Sequence, residues 1–172
     1  WALQNSWALS PDLELLGDFR EIRRFSIEEW DGRLGAKKKF YPAHYFGVSI
    51  SLATRGAFLP KNKAEVELGW AYSPLLPSSL TLTWMQYIHA EVLNLRHSLE
   101  VYVPSLPIFW WVSGTFGKVR SLGALQDFRE SQAKWMGSIS ARTYFELPSK
   151  YCVSISGGLG NEGSINFERY KG

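Results

Sequence analysis

Three histidines, one cysteine and a scatter of carboxylates and bases are the groups in this chain that could carry chemistry. Histidine is the usual general base near neutral pH, so His44, His89 and His97 come first. No HExxH run and no paired-histidine spacing occurs among them, which leaves zinc without a ligand set. No metal and no cofactor is expected. Acyl transfer needs a nucleophile, a base and an orienting group at one place. The candidates are His89, His97, the adjoining Ser98, and Asn94 as the group that could orient an imidazole. Neither histidine sits beside a serine in the strand phase described below, so the balance leans against an enzyme. Cys152 falls between small residues near Ser154 and Ser156 and reads as a packed side chain. The Gly157-Gly158-Leu159-Gly160 run ends a strand without opening a helix, unlike a phosphate loop.

The elements that must hold these residues have a period of two. From Ala43, Phe46, Val48, Ile50 and Leu52 share one face, opposite Tyr45, Gly47, Ser49, Ser51 and Ala53. From Ala64, Val66, Leu68, Trp70 and Tyr72 oppose Glu65, Glu67, Gly69, Ala71 and Ser73. From Tyr151, Val153, Ile155 and Leu159 alternate with Cys152, Ser154, Ser156 and Gly158. Weaker alternations occupy DLELLGDFR, SLTLTWMQYI, HSLEVYV, AKWMGSISARTYFE and the final Ile165–Glu168 run, while PIFWWVSGTFGK refuses a clean phase. Breakers fall at Asp31-Gly32, Leu59–Asn62, Pro74–Ser79, Asn94–Arg96, Pro104–Pro107, Leu147–Ser149 and Gly160–Gly163. The pattern predicts an all-β, antiparallel up-and-down meander barrel of about 8–10 strands. One helical piece is expected, at Leu122–Glu130. A single domain covers 1–172, with 1–11 as a candidate N-terminal extension.

Composition narrows the class. A formal charge of +3, from 19 Lys+Arg against 16 Asp+Glu, is too mild for a nucleic-acid binder. A lone cysteine excludes a disulfide framework. The longest unbroken apolar run, the seven residues Leu106–Val112, is far below the roughly 20 that a spanning helix needs. Spanning strands are not excluded. The chain opens on Trp1 without a methionine or a leader, which reads as a processed protein or a fragment.

The alternation does not say which face meets water, because a soluble barrel and a membrane barrel invert the same pattern. The content of the second face does. A solvated face is usually rich in Lys, Glu, Gln and Thr, whereas this one is Gly, Ser and Ala with a few charges, as suits a narrow lumen. The reading is therefore transmembrane. It places Phe46, Val48, Ile50, Leu52, Val66, Leu68 and Trp70 against lipid. It places Glu14, Asp18, Arg20, Glu65, Glu67, Glu100, Lys134, Arg142 and Glu168 in a lumen charge network, with Glu65 and Glu67 neutralised by Arg20, Lys134, Arg142 or another lumen base. Eight to ten strands leave an interior that side chains mostly fill, so a salt-bridged plug is expected, not an open pore. Lys37, Lys38 and Lys39 are expected to be solvated.

The stretch WMGSISARTYFELPSKYCVSISGGLG, from Trp135 to Gly160, resembles the closing hairpin of bacterial outer-membrane barrels of the YaiO family. FGVSISLATRGAFLPKNKAEVELGWAYSPLLPSSL is similar to a strand, Phe-x-Pro turn and acidic-apolar strand of the same group. The ending Phe167–Gly172 departs from the terminal aromatic of such barrels. The resemblance implies a Gram-negative outer-membrane protein of the cell envelope. Its expected role is a non-enzymatic anchor, adaptor or assembly subunit linked to surface polysaccharide. The partners it implies are membrane lipid and another envelope protein or polysaccharide, without nucleic acid. Two alternatives stand beside it. One is a barrel-embedded lipid-modifying acyl hydrolase: Ile88-His89-Ala90-Glu91 with Asn94 is similar to the His-x-Ser-Asn run of lipid A deacylases, though Glu91 occupies the serine position. The other is a soluble β-barrel binding an apolar ligand among Trp70, Trp84, Trp110 and Trp135.

Overall fold

The computed structural model describes residues 2–24, 27–41, 43–55, 59–103, 108–121, 134–147 and 151–160. These form ten strands: β1 (Ala2–Ser10), β2 (Leu13–Arg24), β3 (Ile27–Tyr41), β4 (His44–Ala53), β5 (Asn62–Ala71), β6 (Pro77–Gln86), β7 (Ala90–Val103), β8 (Ile108–Ser121), β9 (Lys134–Leu147) and β10 (Tyr151–Gly160). They make one sheet in sequence order, each strand antiparallel to the next. The expected all-β meander is therefore present. Its expected closure is not: among the described residues β1 pairs only with β2 and β10 only with β9, so the sheet is open, with β1 and β10 as its edges.

Several expected boundaries are corrected. Asp31-Gly32 is not a turn but lies inside β3, where Asp31 pairs with Arg20 and with Ala53. The hydrogen-bond ladder on both sides of β3 overrides the local turn preference of the Asp-Gly pair. Asn94–Arg96 likewise lies within β7, held between β6 and β8. Residues 2–10 are a strand of the sheet and not an extension outside it. The Leu122–Glu130 helix and the Ile165–Glu168 strand lie outside the described residues. No helix among the described residues is long and apolar enough to cross a membrane.

The phase of β8 becomes clear from its neighbours. Trp111 pairs with Glu100, and Trp110 with Val101, so Trp111 joins the polar face and Trp110 the apolar one. Within this sheet the two faces differ sharply in exposure. Ser49 is 8% exposed while the next residue, Ile50, is 58% exposed. Ser51, Thr81, Thr83, Ser98 and Ser113 are buried like Ser49; Leu34, Leu52, Leu68, Leu82, Leu95 and Ile139 are exposed like Ile50. The small polar face thus lines the concave side of the curved sheet, and the bulky apolar face is turned outward. Buried apolar side chains are few among the described residues: Leu59, Ala90 and Val92. The interior is built from serines, threonines and ion pairs.

Candidate functional site

The concave face carries a charged cluster centred on Arg33, a residue absent from the charge network expected from sequence. The register sets Asp18 opposite Arg33, Arg33 opposite Ser51, and Ser49 opposite Glu65. Serines on β4 are small enough for the guanidinium to reach across that strand. Arg33 lies 3.5 Å from Asp18 and 3.1 Å from Glu65, and its Nε donates to Ser49 Oγ at 3.1 Å. Lys63 makes a second ion pair with Glu65 at 2.5 Å. The bases neutralising Glu65 are thus Arg33 and Lys63. Arg20 is instead engaged by Asp31 at 3.0 Å, because those two residues face each other on β2 and β3.

Glu67 is held differently. The Tyr45 hydroxyl donates to its Oε1 at 2.8 Å. Gly69 makes this contact possible: a β-carbon there would collide with the Tyr45 ring, which lies flat across β5. The Lys37 ammonium sits 3.5 Å from the centroid of the same ring, so Lys37 is not simply solvated as expected. Further along, the Tyr102 hydroxyl donates to Glu100 at 2.7 Å and Arg142 donates to the Tyr144 hydroxyl at 3.1 Å. Glu14 stands opposite Lys37 on β3. Lys134 occupies the first position of β9, and Glu168 lies outside the described residues. Near the start of β3, buried Glu29 accepts the Leu59 backbone N–H at 3.1 Å, which ties Leu59 to that strand.

At the opposite end Lys39, Tyr45, Glu67, Arg96, Glu100 and Trp111 help to line a cavity of about 400 Å³. No group of three or more His, Cys, Asp and Glu placed to hold a metal occurs among the described residues.

The residues proposed for acyl transfer separate. His89 lies in the 87–89 turn and is exposed. Ser98 and Asn94 belong to the concave face, opposite Ser79 and Thr83, whereas His97 faces outward, opposite Leu80 and Gly114. Adjacent positions on a strand point to opposite faces, so His97 cannot meet Ser98. It meets Ser78 instead: Ser78 Oγ is 2.8 Å from His97 Nε2 and 3.1 Å from the Ser98 carbonyl oxygen, two acceptors for its one proton when His97 carries its own on Nδ1. The Trp70 ring stacks on the imidazole, with centroids 5.8 Å apart and planes 14° from parallel. Ser78 escapes sequence reading because it lies within the Pro74–Ser79 run expected to be a breaker, whose last three residues begin β6, and only the strand register brings it to His97. Phe46, Val48, Ile50, Leu52, Val66, Leu68 and Trp70 all lie on the outward face, in register across β4 and β5.

Comparison with protein-family models, curated proteins and solved structures returned no match.

Proposed function

We propose that this chain is the wall of a membrane-spanning β-barrel of a Gram-negative outer membrane, its outward face in lipid and its concave face a lumen filled by ion pairs. The reading makes it an anchor or assembly subunit of the cell envelope and not an open pore. The observation that carries it is the inversion of exposure, in which adjoining strands present Leu34, Ile50, Leu68, Leu82 and Leu95 outward while serines and threonines are buried. Soluble monomers rarely expose apolar patches beyond a few hundred Å², and this one runs across most of the sheet.

Two further features support the reading. Outward charges gather at strand ends: Arg23 sits one residue from the end of β2, Glu28 one residue from the start of β3, Glu91 is the second residue of β7, and Arg120 sits one residue from the end of β8. Outward tryptophans among the described residues fall toward the two ends, with Trp7, Trp70 and Trp110 toward one and Trp30, Trp84 and Trp135 toward the other. Trp110 pairs with Thr143, and the strand from Trp135 to Thr143 rises about 26 Å. A tilt near 40° shortens that to about 20 Å, close to the roughly 25 Å apolar band of such barrels.

The composition of the two edge strands supports closure. Neither ALQNSWALS of β1 nor YCVSISGGLG of β10 contains a charge or a proline, the devices that protect genuine edges. The first and last of ten alternating strands run antiparallel, so they can pair directly. The test is fractionation followed by electrophoresis with and without boiling. Outer-membrane location with heat-dependent migration supports the proposal; a protein extracted without detergent would overturn it.

A further inference from the structure

Ser78 and His97 are the one place among the described residues where a hydroxyl and an imidazole ring nitrogen are joined by a hydrogen bond. The pair lies on the outward face. Beside it the same face holds a groove of about 570 Å³ walled by Leu80, Leu95, Phe116 and Ile139, with His97 on its rim. The register explains the groove. Across β6 to β9 the row reads Leu80, His97, Gly114, Ile139, so a glycine stands where its neighbours carry bulk. A β-carbon at Gly114 would meet nothing within 4 Å, which leaves the trough open at its floor.

We propose that Ser78 and His97 are the nucleophile and base of an ester-hydrolysing site that takes long-chain acyl esters of membrane lipids, with the chain lying in the groove beside Gly114. The inference rests on the membrane reading, since it is lipid that brings an acyl chain to an outward face. The chemistry is complete with water as co-reactant. His97 Nε2, in the tautomer protonated at Nδ1, accepts the Ser78 proton, turned away from the Ser98 carbonyl, as Oγ bonds to the ester carbonyl carbon. Collapse breaks the bond to the alcohol oxygen, which takes the proton from His97. Water then attacks the acyl-serine, gives one proton to His97, and that proton returns to Ser78 Oγ as the fatty acid leaves. Trp70, stacked on the ring, is a positioning residue. Ser78 is 5% exposed and His97 is exposed, so the hydroxyl is screened while the imidazole is open to the outward face.

The experiment uses the full chain reconstituted in two kinds of vesicle, dioleoyl phosphatidylethanolamine alone and the same lipid with lipid A, with released fatty acids measured by mass spectrometry. Chain length identifies which lipid is cleaved. A long-chain alkyl fluorophosphonate is added in parallel, and the modified residue is mapped. Expected are fatty-acid release, modification at Ser78, and a fall of roughly a thousandfold in release for Ser78→Ala and for His97→Asn. Gly114→Leu should raise the ratio of short-chain to long-chain hydrolysis, a shift that a purely structural Ser78–His97 bond would not produce. Insertion is scored on the same samples by heat-dependent migration. An inserted protein with no release, or with release unchanged in Ser78→Ala, overturns the inference alone. A protein that does not insert overturns the membrane reading and this inference with it.

Discussion

Arg33→Met tests whether the concave face is held by its ion pairs. The substitution keeps the aliphatic length and removes contacts to Asp18, Glu65 and Ser49. The side chains of Arg33, Asp18 and Glu65 are 32%, 26% and 14% exposed, between a surface pair and a buried one. Exposed pairs contribute about 0.2–1 kcal/mol and breaking a buried one costs about 3–5 kcal/mol, so a loss near 2 kcal/mol is expected. The two acids should not suffer equally. Glu65 keeps Lys63, whereas Asp18 loses its Arg33 ion pair and already has a buried oxygen, Oδ1, without a hydrogen-bond partner. Adding Asp18→Asn to Arg33→Met should therefore recover about 1 kcal/mol, by removing a charge left uncompensated. Urea unfolding in lipid vesicles, followed by tryptophan fluorescence, reads both values. A loss below about 0.5 kcal/mol for Arg33→Met, or no recovery in the double variant, would refute the reasoning.

Ile50→Arg should destabilise the protein in vesicles by about 2–4 kcal/mol, because it puts a charge on the outward apolar face near mid-strand; the same urea titration reads it. Gly69→Val should drive the Tyr45 ring off β5, break its bond to Glu67 and cost about 1–3 kcal/mol. Tyr45→Phe added to that variant should then cost nothing more. In a Cys152→Ser background, cysteine pairs drawn from Gln4, Ser6 and Ala8 on β1 and Ser154, Ser156 and Gly158 on β10 should give at least one oxidative cross-link, read as a mobility change reversed by reductant. Absence of any cross-link would show that the two strands do not meet.

How far the sequence is legible depends on how cleanly each strand separates its faces. β4 and β5 alternate without a fault, and the alternation alone assigns their outward and concave residues. β3 is not readable, because IEEWDGRLGAKKKFY mixes charge, glycine and an Asp-Gly pair, and its pairing with β2 and β4 makes it a strand. Losing β3 hides Arg33 and so the true partner of Glu65. β8 resists because three consecutive aromatics satisfy either phase; Glu100 and Val101 across the ladder decide it. The Ser78–His97 pair depends on register between β6 and β7, and a slip of one residue would turn His97 to the concave face. No local pattern fixes that register. Opposite faces, in contrast, are enough to separate His97 from Ser98, and the two-residue period already contains that result.

The most direct test of the central claim is the environment of single spin labels on the two faces in reconstituted vesicles. Labels at Leu34, Ile50, Leu68 and Ile139 should collide often with oxygen, which concentrates in lipid, and seldom with a water-soluble nickel chelate. Labels at Ser49, Thr81 and Ser113 should be immobilised and shielded from oxygen. Labels at Leu34, Ile50, Leu68 and Ile139 that meet the nickel chelate freely, or that lie in a dry protein interface, would contradict a lipid-facing wall.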